Sequence, residues 1–169
     1  MDALEAIHSR RSIRKFKKNP VPGELVKDIL SAAMMAPSAG NERPWHFVVI
    51  SKSKILRELA NNRIYASVLD KAPLAILVCA DINLDRRNGF WAQDCAAATQ
   101  NLLLAAHASG LGAVWIALYP HENRIFGVRD VIELPENIVP FAIIPLGYPG
   151  EKKSPENRFD PDRIHFEKW

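Results

Sequence analysis

Residues 74–80 read Leu-Ala-Ile-Leu-Val-Cys-Ala, an apolar run without a polar residue in it. A strand buried on one face alternates apolar and polar residues, so an unbroken run predicts a strand buried on both faces. Further along, residues 91–109 predict a long helix that ends at Gly110 and is apolar over most of its circumference. Because little of that helix suits water, we expect it in the core or at a subunit interface.

The rest of the pattern predicts helices and strands within one domain. No repeat and no low-complexity linker divides the chain, which favours a single α/β unit over residues 1–169. The last predicted strand contains Pro145, which a sheet tolerates only at an edge or a bulge. The other predicted elements are helices at 2–9, 23–35, 53–61 and 123–133, a short helical piece at 66–70, and strands at 46–51, 113–118 and 141–146.

The C-terminal tail, residues 150–169, is polar and contains prolines, yet it carries four large apolar side chains. These are Phe159, Ile164, Phe166 and Trp169. A tail of this composition is expected to cover another surface. Together with the apolar helix at 91–109, it predicts a homodimer in which each tail packs on the partner subunit.

Composition weakens several functional classes. The net charge is +3 and the 19 acidic residues are spread through the chain, which argues against nucleic acid as a partner. No apolar run is long enough to span a bilayer and the first residues lack a signal-peptide pattern, so a cytoplasmic location without membrane contact is expected. Cys79 and Cys95 are predicted to be buried free thiols, and the scattered histidines do not favour a metal site.

A basic run near the start of the chain, Arg10-Arg11-Ser12-Ile13-Arg14, is suited to binding a phosphate. Guanidinium groups present paired donors that match phosphate oxygens. In an extended segment, Arg10, Ser12 and Arg14 point to one side, while Arg11 and Ile13 point to the other. Taken alone, however, the run is more typical of a solvated basic face or a nucleic-acid contact.

The sequence lacks catalytic side chains in familiar arrangements. It has no Gly-x-Ser-x-Gly elbow, no recognisable pair of acid–base carboxylates and no Gly-rich phosphate loop. This absence suggests that a bound cofactor carries the chemistry. The stretch at 36–47, Ala-Pro-Ser-Ala-Gly-Asn-Glu-Arg-Pro-Trp-His-Phe, could bring backbone amides close to a flat ligand, although an ordinary helix–strand connection has the same composition.

Four motifs in order resemble the flavin-dependent nitroreductase family. They are the Arg10–Arg14 run, the stretch at 36–47, Ala105-Ala106-x-x-x-Gly110-Leu111-Gly112-x-x-Trp115-Ile116, and Ile144-Pro145-Leu146-Gly147-Tyr148-Pro149, followed by Arg158 and the closing residues 165–169. The resemblance covers nearly the whole chain. It implies an α+β sandwich with a mixed central β-sheet flanked by helices, and a homodimer that holds FMN in a cleft between its subunits.

The resemblance also implies roles for particular residues. Arg10, Ser12 and Arg14 would hold the phosphate and ribityl chain of FMN, with Arg11 a less certain contributor and Arg158 closing on the phosphate. Pro37, Ser38, Ala39 and Asn41 would approach the flavin of the partner subunit. Trp115, Ile116, Ala117 and Leu118 would pass the isoalloxazine, with a backbone N–H near Ala117 or Leu118 facing N5. Arg43 stands where many relatives carry Gln, which could favour acidic substrates.

The function implied by the resemblance is an FMN oxidoreductase that takes hydride from NAD(P)H and reduces a small acceptor such as a nitroaromatic or a quinone. The sequence offers no second dinucleotide site, so donor and acceptor would use one site in turn, by a ping-pong mechanism. Alternatives with the same fold are reductive dehalogenation, fragmentation of the flavin, and FMN binding with slow turnover. A remote alternative is a basic nucleic-acid-binding module that uses residues 10–18.

Overall fold

A computed structural model describes residues 1–61 and 66–169 of the chain. The strands are β1 (Trp45–Ile50), β2 (Leu74–Asp81), β3 (Gly112–Ala113), β4 (Ile116–Ala117) and β5 (Ile138–Gly147). The helices are α1 (Ala3–Ser9), α2 (Gly23–Met34), α3 (Ser53–Asn61), α4 (Ala66–Leu69), α5 (Trp91–Ala108) and α6 (Glu122–Ile132). Each predicted helix is confirmed, with bounds that differ by one residue at most at either end.

The five strands form one sheet in which β5 is central. The order runs β1, β2, β5, and both β3 and β4 pair with the far side of β5. Every one of these pairings is antiparallel. A parallel contact occurs at the isolated bridge between Ser12 and Ala113, so the mixed character of the sheet comes from the segment that follows α1.

Pro145 explains the main difference between the predicted and observed strands. The predicted strand at 113–118 is wrong as one piece, because β3 and β4 share one register on β5 but are separated at Val114 and Trp115. The Val114 N–H donates to the Pro145 carbonyl at 3.3 Å, and proline has no N–H to return the bond. β5 is nevertheless a central strand, so Pro145 does not mark an edge. The sheet tolerates this proline because the neighbouring strand is broken beside it.

β2 separates two apolar cores, as its unbroken apolar sequence predicts. Leu74, Ile76, Val78 and Ala80 pack in a core that contains the buried faces of α2 and α5. Ala75, Leu77 and Cys79 pack in a second core with residues of α3 and α6. Successive strand residues point to opposite faces, so a strand between two helical layers must be apolar at every position. The result is a three-layer sandwich.

The long helix α5 and the two cysteines match their predictions. One face of α5 is buried against α2 and the sheet, and the helix is followed by Gly110 at φ +78°. Cys79 and Cys95 are free and buried. Burial raises the pKa of Cys79 to about 12 and also raises that of Cys95, so both thiols stay protonated at neutral pH. No helix within the described residues is long and apolar enough to cross a membrane.

Candidate functional site

The Arg10–Arg14 run is extended and lies beside β3. Ile13 donates its backbone N–H to the Ala113 carbonyl at 3.0 Å, and Ser12 forms the parallel bridge to Ala113. The Ile13 side chain is buried so close to Gly112 that a Cβ on that glycine would lie 2.7 Å from Ile13 Cβ. Gly112 is therefore needed for the close approach that seats the run on the edge of the sheet.

Three guanidinium groups crowd together at this edge. The pKa of Arg10 is lowered, first by burial and then by the positive charges of Arg11 and Arg158. Among the described residues no carboxylate lies within ion-pair distance of Arg10, whereas Arg158 pairs with Glu156 at 2.7 Å. A cluster with more cations than anions is unfavourable in the free protein, and a phosphate with close to two negative charges would neutralise it. The residues present therefore fit an FMN phosphate.

Arg11 differs from its neighbours because its donors are already engaged. Its Nε donates to the carbonyl of Ser154 at 3.1 Å, and its Nη2 donates to that of Glu156 at 3.3 Å. Its Nη1 donates to the carbonyl of Arg10 at 2.6 Å. Arg11 thus fastens the start of the tail to the run, which is a structural role distinct from binding a phosphate.

Two further cations lie at this edge: Arg14 of the run, and Lys153 of the tail, which the sequence interpretation missed. The backbone N–H of Arg14 donates to Glu151 Oε1 at 2.6 Å, and within the described residues no hydrogen bond or ion pair engages its guanidinium. Lys153 Nζ donates to the Ser12 carbonyl at 2.7 Å. The tail therefore adds positive charge beside Ser12. The adjacent pair Lys152-Lys153 was the available signal in the sequence.

The turn at residues 37–43 (the Ser38 turn) is built on a buried carboxylate. Ala39 donates its N–H to Asp94 Oδ1 at 3.0 Å, and Arg43 donates its N–H to Ser38 Oγ at 3.0 Å. Asp94 is 5% exposed, and its Oδ2 has no hydrogen-bond partner among the described residues. Asp94 stands in the first turn of α5, where the helix dipole favours negative charge. An acid in an apolar helix was the sequence signal for this role.

The backbone of the Ser38 turn is strained and closely packed. Gly40, Asn41 and Arg43 all have positive φ, at +57°, +58° and +49°. A Cβ on Gly40 would lie 3.0 Å from Arg87 Nε, so the glycine lets that guanidinium pack over the turn. Glu42 pairs with Arg87 at 4.0 Å. Such strain persists only where surrounding contacts hold it, and it is concentrated at binding sites.

The segment after β3 directs the backbone amide of Ala117 away from β5. Leu118 donates its N–H to the Phe141 carbonyl at 3.0 Å, in the register that pairs Ala117 with Ala142. Hydrogen-bonded and non-hydrogen-bonded pairs alternate in an antiparallel ladder, so Ala117 is a non-bonded position. Its N–H therefore points away from β5, toward the side of β4 that no described strand covers.

Two of the four expected flavin contacts in this segment need correction. Ile116 is 2% exposed and Leu118 is 0% exposed, and both side chains belong to the second core. The N–H of Leu118 is bound to Phe141, and its carbonyl accepts from the His121 N–H at 2.9 Å. Neither residue offers a group to a ligand of this chain, because the strand directs these side chains inward. Trp115 and Ala117 remain accessible.

Aromatic rings line the sheet next to this segment. The Trp115 ring lies 5.6 Å from that of Phe141, and the Trp91 ring lies 4.6 Å from that of Tyr119, both in edge-to-face geometry. Trp91 and Phe141 also contact edge-to-face at 6.3 Å. Flat apolar surfaces of this kind suit a planar ring system.

The predicted site residues fall into two groups. Arg10, Ser12 and Arg158 lie at the edge that leads through β3 to Trp115 and Ala117. Pro37, Ser38, Ala39 and Asn41 lie in the turn held by Asp94, and no hydrogen bond or ion pair in the described part of the chain joins that turn to the arginines. Hydrogen bonds and ion pairs among the described residues therefore do not link the two groups within one chain.

Comparison with known proteins places the chain in context. The Nitroreductase family model matches residues 7–64 and 57–148. A Methanothermobacter thermautotrophicus protein, provisionally named NADH dehydrogenase/NAD(P)H nitroreductase, is 52% identical over all of this chain and 88% of its own length.

Two further matches bear on the cofactor and on the range of reactions. A nitroreductase from Desulfovibrio desulfuricans, provisionally so named and solved in complex with FMN, has a TM-score of 0.88 and 33% identity. The match covers all of this chain and 99% of that one. An iodotyrosine deiodinase from Haliscomenobacter hydrossis is 28% identical over 84% of this chain and 77% of its own length. The expected family and fold are confirmed: this chain belongs to the nitroreductase family.

Proposed function

We propose that this protein is an FMN-dependent oxidoreductase that takes hydride from NAD(P)H and reduces nitroaromatic- or quinone-type acceptors. The observation that carries the proposal is the group of Arg10, Arg11 and Arg158, which holds more positive than negative charge at the edge of the sheet that leads through β3 to Ala117. The FMN complex of the D. desulfuricans relative supports the choice of cofactor.

The edge of the sheet that carries Arg10, Arg14 and Arg158 (the arginine edge) binds the phosphate end of FMN. Arg10 and Arg14 offer guanidinium donors, Ser12 offers a hydroxyl, and Arg158 approaches from the tail. Charge-assisted hydrogen bonds of this kind contribute roughly 1.5–3 kcal/mol each, so three supply about half or more of the roughly 8 kcal/mol that micromolar affinity requires. Arg11 contributes charge but keeps its donors on the tail.

The ring end of the site is formed by backbone and aromatic groups. Bound FMN supplies a two-electron acceptor at N5, which the protein itself lacks. The Ala117 N–H would donate to that atom when FMN is bound, and Trp115 lies on the same segment. The chain positions the reactants and excludes water, which requires no acidic or basic side chain.

A second copy of the chain completes the site. Pro37, Ser38, Ala39 and Asn41 approach the flavin of the partner, held in place by Asp94 of their own subunit. The tail residues Phe159, Phe166 and Trp169 are 72%, 83% and 101% exposed in one chain, and packing on the partner covers them. NAD(P)H and the nitroaromatic or quinone acceptor then occupy the same cleft in turn, which gives a ping-pong mechanism.

The segment between β1 and β2 bears on the dehalogenation alternative. A lid over the flavin would have to come from this segment, residues 51–73. Its described part instead packs on the second core through Leu56, Leu59 and Leu69, on the face opposite α2 and α5. The nitroreductase-type reaction therefore fits the chain better than a reaction that depends on a lid.

The test compares FMN with riboflavin, which carries the same ring without the phosphate. We expect FMN to bind at least roughly 100-fold more tightly, because riboflavin cannot use the arginine edge. Steady-state rates with NAD(P)H and a quinone should give parallel double-reciprocal lines. Equal affinity for the two flavins would refute the phosphate site, and intersecting lines would refute the shared cleft.

A further inference from the structure

Arg124, in the first turn of α6, reaches back to β4, the strand that contains Ala117. Its Nη1 donates to the Ala117 carbonyl at 2.9 Å, and the side chain is half-buried. Neither the sequence motifs nor the family resemblance assigns this residue a role. Its contact is with the same residue whose N–H faces the proposed flavin site.

The strand geometry puts both polar groups of Ala117 on one side. The bond from Leu118 N–H to Phe141 fixes Ala117 as a non-bonded position of the ladder. The N–H and the carbonyl of an extended residue point in the same direction, so both point away from β5. The guanidinium that binds the carbonyl therefore stands next to the N–H, and a ligand atom that accepts from this N–H lies beside a cation.

The charge of Arg124 is not neutralised within the described part of the chain. No carboxylate there lies within ion-pair distance of its guanidinium, and Glu122 and Glu133 of the same helix region form no ion pair with it. In a half-buried position a charge acts more strongly on its neighbours than it does in water. Two electrons added to FMN at neutral pH increase its negative charge, so a nearby cation favours the reduced form.

We propose that Arg124 is a positioning residue of the flavin site, which holds the Ala117 amide toward N5 and makes bound FMN easier to reduce. This inference rests on the proposed function, because it requires FMN at the arginine edge and its ring beside Ala117. It adds a residue and a redox role that the proposed function does not contain.

The test is the two-electron midpoint potential of bound FMN in wild type and in Arg124→Gln, measured by equilibration with reference dyes. We expect the variant to bind reduced FMN about tenfold more weakly relative to oxidised FMN, which corresponds to a potential about 30 mV lower. Arg124→Lys keeps the charge, and its potential should stay closer to the wild-type value than that of the Gln variant. All three proteins are measured as FMN-loaded chains of residues 1–169.

Arg129→Gln is the matched control. Arg129 lies on the same helix and donates to the carbonyls of Pro135 and Ile138 at 2.7 and 2.9 Å, away from Ala117. Arg129→Gln should lower the stability of the protein without changing the midpoint potential of bound FMN. A wild-type potential in Arg124→Gln, or an equal fall in Arg129→Gln, would overturn the inference.

Two outcomes separate this inference from the proposed function. If wild type fails to bind FMN, the proposed function fails and the inference fails with it. If wild type binds FMN and Arg124→Gln binds it with an unchanged potential, only the inference fails. If Arg124→Gln does not fold, the Lys variant decides. A fall in its midpoint potential as large as that expected for Arg124→Gln, despite the retained charge, would contradict an electrostatic role.

Discussion

The Ser38 turn and the C-terminal tail are both polar segments assigned to the flavin site, but they are held in opposite ways. The turn is fixed inside its own chain, where Asp94 accepts the Ala39 N–H and Arg87 packs over Gly40. Within the described residues, hydrogen bonds tie the tail to the run only at its start, through Arg11, Ser12 and Arg14, while its large apolar side chains face solvent. The turn is thus held by contacts within one chain, whereas we propose that the tail is covered by a partner subunit.

Removal of residues 159–169 should have the largest effect. This deletion keeps Arg158 and the contacts of Arg11 but removes Phe159, Ile164, Phe166 and Trp169. Burial of each large apolar side chain is worth about 1.5–3 kcal/mol, so the dimer should be weakened about 10⁴-fold or more and FMN binding lost with it. Sedimentation velocity measures the change, and a dimer that persists would show that the tail does not cross to the partner.

Substitution of Arg10 tests the arginine edge, which lies beside the tail. Arg10→Met should weaken FMN binding roughly 10- to 150-fold, because one charge-assisted bond to the phosphate is lost. The unfolding free energy of the FMN-free protein should not fall, because loss of the charge repulsion from Arg11 and Arg158 offsets the lost contacts. Arg14→Ala should weaken FMN binding to a similar degree.

The control for both arginine variants is Arg57→Met. Arg57 lies exposed on α3, far along the chain from the run. A flavin titration that gave the same affinity for Arg10→Met and Arg57→Met would remove Arg10 from the phosphate site.

Asp94→Ala tests the other half, the turn. The Ala39 N–H would lose its acceptor, at a cost of about 1–3 kcal/mol, and the Ser38 turn would lose its hold on α5. Urea denaturation of the FMN-free protein measures that cost. Asp94→Asn keeps an acceptor oxygen and should recover most of the stability. Equal losses in the two variants would mean that the hydrogen bond to Ala39 does not hold the turn.

The smallest effect on stability is expected from His107, which lies next to the arginine edge. Its pKa is lowered by burial, then by Arg10 and Arg11, and Glu5 partly opposes this. Because the folded pKa lies below the unfolded value, the neutral ring is favoured, and stability should fall as the pH drops below about 6.5. His107→Gln should flatten this dependence.

Binding of FMN should also move the pKa of His107. The phosphate offsets the charges of Arg10 and Arg11, so the pKa should rise toward its ordinary value. NMR titration of the imidazole with and without FMN measures the shift, and an unchanged pKa would place the phosphate elsewhere.

Sequence patterns predicted the helices well because their start, stop and periodicity signals are local. The strands were less predictable, since Pro145 interrupts pairing in a strand some thirty residues earlier in the chain, a relation visible only once β5 is known to be central. The same holds for the site. The run at 10–14 could be identified from composition, but the burial of Ile116 and Leu118 follows from the phase of one ladder.

Contacts made through the fold were the hardest to foresee. Nothing in the spacing of Arg124 and Ala117 indicates that the guanidinium binds that particular carbonyl. Likewise, Asp94 meets Ala39 only because α5 packs beside the turn. Sequence patterns could therefore indicate the segments proposed to bind FMN, whereas the residues that hold those segments in place required the structure.

Anaerobic titration of the FMN-loaded protein with NAD(P)H tests the central claim most directly. We expect one equivalent of reduced nicotinamide to bleach the flavin absorbance and a nitroaromatic or a quinone then to restore it. Protein that binds no FMN, or bound FMN that NAD(P)H leaves oxidised, would contradict it.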